Sequence, residues 1–103
     1  MIYMTISVDL YPGKLSEAEV CFQRIATYMK ENTSEINYQI VRNITGPTRK
    51  VHVFASYESI ADWDLSQSKR HTDPNWQAIA AEVVKFVDLH NAEVNFYEVL
   101  AQA

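Results

Sequence analysis

Arg49 to Trp76 reads RKVHVFASYESIADWDLSQSKRHTDPNW, and the fold follows from it. Val51, Val53, Ala55 and Tyr57 recur at every second position, with His52, Phe54 and Ser56 between them; this is the period of a strand. Glu58-Ser59 turns the chain into a helix. Ser59 is placed to cap it, and Asp62 stands three residues on in the capping-box position. The helix stops at Lys69-Arg70-His71-Thr72. A second one starts at Asp73-Pro74, because Asp caps and Pro suits the first helical position.

Working outward, Ile2, Met4, Ile6, Val8 and Leu10 alternate with Tyr3, Thr5, Ser7, Asp9 and Tyr11, a strand with one apolar and one mixed face. Pro12-Gly13 ends it. Ser16 and Glu19 predict a capping box, followed by a helix to about Lys30 with Ala18, Cys21, Phe22, Ile25, Tyr28 and Met29 inward. Glu31 to Ser34 reads as a loop. Ile36 to Ile44 reads as a second strand, with Ile36, Tyr38 and Ile40 on one face. Gly46-Pro47-Thr48 is short enough to force an antiparallel hairpin into the strand at Lys50. After Pro74 the helical spacing of Trp76, Ile79, Ala80, Val83 and Val87 extends to about Asp88, with His90-Asn91 as its exit. Glu93 to Leu100 is the last strand, Val94 and Phe96 opposing Asn95 and Tyr97.

The order β-α-β-β-α-α-β predicts an α+β, ferredoxin-like split βαβ domain: a four-stranded antiparallel sheet with helices on one face. Its 103 residues make one domain, residues 1–103. The bare face would carry Tyr3, Thr5, Ser7, Gln39, Val41, His52, Phe54, Ser56, Tyr97 and Val99, too apolar a surface to leave to water. A second copy packed sheet to sheet solves this, so a homodimer is expected.

Composition removes several classes. A net charge of −4, a pI near 5.2 and no basic block beyond Lys69-Arg70 argue against nucleic acid. There is no signal-peptide pattern and no apolar run of membrane-spanning length, so a cytoplasmic protein without a membrane partner is expected. One cysteine, Cys21, makes no internal disulfide and reads as a buried, inert thiol. His52, His71 and His90 lie on separate elements without acidic or Cys partners at ligand spacing, which predicts no metal site. P-loop, dinucleotide-glycine and G-x-S-x-G patterns are missing from the sequence.

The strand ending in Tyr57-Glu58-Ser59, the helix from Ala61 to Arg70, Asp73-Pro74-Asn75-Trp76 and the turn Tyr11-Pro12-Gly13-Lys14-Leu15 resemble the dimeric α+β barrel superfamily, and within it NIPSNAP-type proteins. The resemblance implies a ferredoxin-like protomer, a dimer through the sheets and a pocket bounded by sheet and helices. It implies no single activity, since the superfamily includes cofactor-free oxygenases, isomerases and haem-degrading enzymes. Haem-degrading relatives use an Asn on the first strand with a Trp and a His on the helix after the third. Trp63 and His71 stand in such elements, but Thr5, Ser7 and Asp9 replace the Asn, and no cofactor is expected.

Two functional readings follow. In one, a homodimer binds a hydrophobic aromatic or polyketide-like compound, with cofactor-independent oxygenase or isomerase chemistry if it is an enzyme. His52 would handle the proton, Tyr3, Ser7, Ser56 and Tyr97 would orient the ligand, Trp63 would form a wall, and His71 with Lys69-Arg70 would meet an anionic tail. In the other, the module is non-catalytic, the sheet face is only a dimer interface and His52 is hydrogen-bonded structure. A cavity of a few hundred Å³ reaching His52 separates the two.

Overall fold

The computed structural model describes residues 1–33 and 35–103. Strand β1 (Ile2–Leu10) leads into helix α1 (Leu15–Asn32), then β2 (Ile36–Arg42), β3 (Lys50–Tyr57), α2 (Ile60–His71), α3 (Pro74–Val83) and β4 (Val87–Glu98). The sheet is fully antiparallel in the order β2-β3-β1-β4, so the first strand is central and the second and last are edges. This is the ferredoxin-like arrangement the element order predicts.

The alternation within β1 and β3 directs the core. Met4, Val8, Leu10, Val51, Ala55 and Tyr57 are buried on the helix side, against Ala18, Cys21, Ile25, Tyr28 and Met29 of α1 and Ile79 of α3. Burial pushes the Cys21 thiol pKa up, which leaves it a poor nucleophile. Ser59 caps α2, its hydroxyl accepting from the Asp62 amide at 3.2 Å. Asp73 caps α3 through the Asn75 amide at 2.9 Å, with Pro74 as first helical residue.

Four local expectations are corrected. First, Ser16 is not the cap of α1. Lys14 is, without a side-chain cap bond, and Ser16 lies one residue inside the helix. Second, α1 runs on through Glu31 and Asn32. Its end is held by Thr33, whose amide and hydroxyl both donate to the Met29 carbonyl, and Ser34 lies outside the described residues. Third, β2 stops at Arg42, and its register slips between Ile36 and Gln39, where Asn37 adopts φ +54°. Asn tolerates that conformation. The slip pairs Ile36 with Ser56, on the bare face, while Tyr38 and Ile40 stay on the covered one.

Fourth, α3 ends at Val83 and β4 begins at Val87, six positions before the expected Glu93. Val83 and Val87 have helical spacing, yet the chain turns at 84–86 and Val87 is buried opposite Leu10. The turn is closed by the Phe86 amide on the Val83 carbonyl and by the Tyr11 amide on the Phe86 carbonyl. His90-Asn91 is therefore a bulge within β4 rather than a helix exit. Asp88 ties it down, accepting from the His90 amide at 3.0 Å and the Asn91 side chain at 2.8 Å.

Candidate functional site

On the bare sheet face, β1 and β3 set Ser7 opposite His52, and the loop after β2 brings in Asn43. The Asn43 Oδ1 accepts from His52 Nε2 at 2.8 Å, so Nδ1 is the acceptor of the Ser7 hydroxyl, also at 2.8 Å. Both ring nitrogens of a neutral imidazole are thus engaged, and its ring stacks on Phe54 at 6.2 Å. Tyr3 and Ser56 pair across β1 and β3, and Tyr97 pairs with Tyr3 from β4. Ser56, between Tyr3 and Ile36, is only 2% exposed, whereas Tyr3 is 38% and Tyr97 51% exposed. These five expected residues do share a surface. It is an open sheet face rather than a hollow.

Of the hollows among the described residues, the one bounded by the sheet and all three helices is on the other side of the sheet. A cavity of about 230 Å³ lies between the covered face and the helices, walled by Met4, Ile6 and Val8 of β1, Tyr38 and Ile40 of β2, and Val51, Val53 and Tyr57 of β3. The helices contribute Phe22, Ile25, Met29, Gln67, Arg70, Trp76 and Val83, and β4 contributes Val87 with half-exposed Leu89. The lining is apolar except for Gln67, Arg70 and the two tyrosine hydroxyls. It does not include His52, which corrects the expectation of a cavity reaching that residue. The sheet lies between them.

One charged group dominates this cavity. Arg70 is 7% exposed, and its Nη1 donates to Glu35 Oε1 at 2.6 Å and to Ser66 Oγ at 3.0 Å. Its guanidinium lies 5.3 Å from the centre of the Trp76 ring, a cation–π contact. Glu35, whose side chain is 0% exposed, also accepts from Ser66 at 2.5 Å and from Tyr57 at 3.1 Å. Burial works against ionising Glu35, yet the Ser66 hydroxyl and the Arg70 charge outweigh it and hold its pKa below the ordinary range. Burial pushes Tyr38 up to about 12, and burial together with Glu35 raises Tyr57 as well. At neutral pH both tyrosines are therefore hydrogen-bond donors and not bases. Three buried polar atoms lack a partner among the described residues: Arg70 Nε, Trp63 Nε1 and Glu35 Oε2.

Trp63 is on this covered side too, packed by the Met4, Ala55 and Tyr57 cluster and edge-on to Phe96 at 4.8 Å. It does not meet His52. His71 is exposed at the end of α2, and only its carbonyl is engaged, by Gln77. Lys69-Arg70-His71 was expected to meet an anionic tail together, but the middle residue is buried and paired with Glu35. The available signal was the four-residue spacing of Ser66 and Arg70, which puts both on one face of α2. Glu35 carried no signal, because its partners come from β3 and α2.

Among the described residues no three His, Cys, Asp or Glu side chains are grouped to hold a metal ion, and no helix is long and apolar enough to cross a membrane. No protein-family profile and no curated protein matches the chain. Solved structures do. A NIPSNAP domain protein from Burkholderia xenovorans superposes with a TM-score of 0.81 at 18% identity, covering 100% of this chain and 98% of that one. A NIPSNAP family protein from Agrobacterium tumefaciens gives 0.78 at 20%, covering 93% and 82%. A putative antibiotic biosynthesis monooxygenase from Nitrosomonas europaea gives 0.73 at 11%, covering 98% and 100%. At such identities the likeness is one of fold: this chain has the ferredoxin-like α+β fold shared by NIPSNAP proteins and antibiotic biosynthesis monooxygenases.

Proposed function

We propose that the protein is a homodimeric small-molecule-binding protein that takes a hydrophobic, aromatic or polyketide-like compound between its sheet and its helices. The observation that carries this is the 230 Å³ apolar cavity with one buried guanidinium in its wall. Ligand sites combine apolar walls with a few placed polar groups, and their usual volumes start near 300 Å³, so the compound is small, of one or two rings. Tyr38 and Arg70 are donors that orient a ligand, while the Tyr57 hydroxyl is committed to Glu35; neither tyrosine is a base at neutral pH. Binding is therefore the function the geometry supports best.

The dimer half of the proposal rests on the bare face. Tyr3, Phe54 and Tyr97 stand exposed there between polar side chains, and His52, Ser7 and Asn43 form a satisfied polar cluster that needs no water. Two measurements test the proposal. Light scattering should give twice 11.9 kDa at micromolar concentration. Small bicyclic aromatics should raise the melting temperature, since a ligand at a hundred times its Kd adds roughly 2.7 kcal/mol. A monomer, or no thermal shift across such a panel, would reject the corresponding half.

A further inference from the structure

We infer that Ser7, His52 and Asn43 form a second site, on the opposite side of the sheet from the cavity, that hydrolyses small uncharged carboxylic esters with Ser7 as the nucleophile. It stands apart from the reading of the cavity. The Ser7 hydroxyl donates to His52 Nδ1 at 2.8 Å, and His52 Nε2 donates to Asn43 Oδ1 at 2.8 Å. A hydroxyl bonded to one ring nitrogen, with the other nitrogen held by a third side chain, is the arrangement that activates a serine: the base is within reach and its tautomer is fixed. Ser7 and His52 are half-buried rather than enclosed, and Phe54 and Val41 beside His52 are exposed. The site and the dimer contact occupy different ends of the face. Tyr3 and its partners Ser56 and Tyr97 lie four residues along β1 from the Ser7–His52 pair, ~13 Å at the rise of a strand. A contact centred on the tyrosines leaves Ser7 at its margin.

The chemistry is acyl transfer to water. Ser7 Oγ attacks the ester carbonyl carbon while its proton passes to His52 Nδ1. The C–O bond to the alcohol then breaks, and Nδ1–H protonates the departing oxygen. Water attacks the acyl-serine, gives a proton to Nδ1, and the carboxylic acid leaves as Ser7 takes that proton back. Asn43 is a positioning residue, acting through the ring. The next cross-strand pair on this face is Asp9 with Lys50, whose ammonium lies 3.2 Å from the Asp9 carboxylate and supplies positive charge on the side of the oxyanion. Exposed Glu93 pairs with Ser7 from β4, so an anionic ester meets a like charge. Phe54, stacked on His52, and Val41, opposite it on β2, offer an apolar seat for the acyl chain. These neighbours select uncharged esters of short apolar acids.

Two probes test this on the full chain: labelling by diisopropyl fluorophosphate, located by mass spectrometry, and hydrolysis of 4-nitrophenyl butyrate. The expected result is one label per chain, on Ser7, with label and hydrolysis both lost in Ser7→Ala. His52→Gln should slow hydrolysis by about a hundredfold or more, compared at concentrations where light scattering shows the same oligomeric state. Asn43→Ala should lose activity that Asn43→Asp, which keeps the acceptor, restores; this pair decides the matter if His52→Gln does not fold. No label, or a label on Tyr3 or Tyr11 in place of Ser7, would overturn the inference. So would hydrolysis that survives in Ser7→Ala or is undiminished in His52→Gln, since Ser7 and His52 would then be hydrogen-bonded structure only. None of these failures touches the cavity, whose ligands are read by thermal shift.

Discussion

Replacing Glu35 by Gln leaves the Arg70 guanidinium buried without its counter-charge. Glu35 is fully enclosed and holds three donors at once: Arg70, Ser66 and Tyr57. Breaking a buried pair by removing one partner costs about 3–5 kcal/mol, because the remaining charge is uncompensated. Whole domains of this kind have about 5–15 kcal/mol, so the single variant should be marginal. In urea, with an m-value of about 1–3 kcal/mol/M, its midpoint should fall by more than about 1 M. Adding Arg70→Met removes the stranded charge and should restore most of the loss. Acid titration gives a second readout. The folded-state pKa of Glu35 is lowered, so its stabilisation is complete above the ordinary value of 4.5 and is lost as pH falls through the folded value. The wild type should therefore lose more stability below pH 4.5 than Glu35→Gln does. An unchanged urea midpoint in the single variant would refute the reasoning, since the pair would then be solvated. Equal losses in single and double variants would instead assign the stability to Arg70 stacking on Trp76.

Other outcomes are accessible with the same assays. Trp76→Ala should lower stability by about 2–3 kcal/mol, less than a fully buried Trp, because the indole is half-buried between Tyr28 at 5.2 Å and Arg70; an unchanged urea midpoint would count against that packing. Tyr28→Phe removes the 2.5 Å bond to the Asp73 cap and should cost about 0.5–1.5 kcal/mol. Burial and the Asp73 bond push Tyr28 up to about 12, so its contribution is present below pH 10 and lost as pH rises towards 12; absorbance at 295 nm should show one late-titrating tyrosine fewer in the variant. His52→Ala strands Ser7 and Asn43 and should weaken the proposed dimer, seen by light scattering over a dilution series, while leaving any thermal shift given by small bicyclic aromatics unchanged.

The core of β1 and β3 is legible in the sequence because strand alternation is local: each buried residue announces itself through its neighbours two positions away. The caps Ser59 and Asp73 are legible for the same reason, since a cap bonds an amide two or three residues on. From those elements the order β-α-β-β-α-α-β, and with it the fold, was already determined. The residues of the bare face were legible from alternation too, but the pairing of His52 with Ser7 rather than with Tyr3, Thr5 or Tyr97 was set by the register of β1 on β3.

Where the hollow lies was decided by the tertiary structure. Strand alternation assigns residues to faces, but it does not say on which face packing leaves a void. The three-helix layer encloses space above Met4, Ile6 and Val53, and His52 is turned away from it. The same holds for β4, whose bulge at Leu89 to Ala92 is set by pairing with β1, and for Arg70, which reads as one of three basic residues at a helix end. Its burial depends on Glu35, thirty-five positions earlier in the chain. A charge becomes a core residue only when another element delivers its counter-charge, and that meeting is a property of the folded chain.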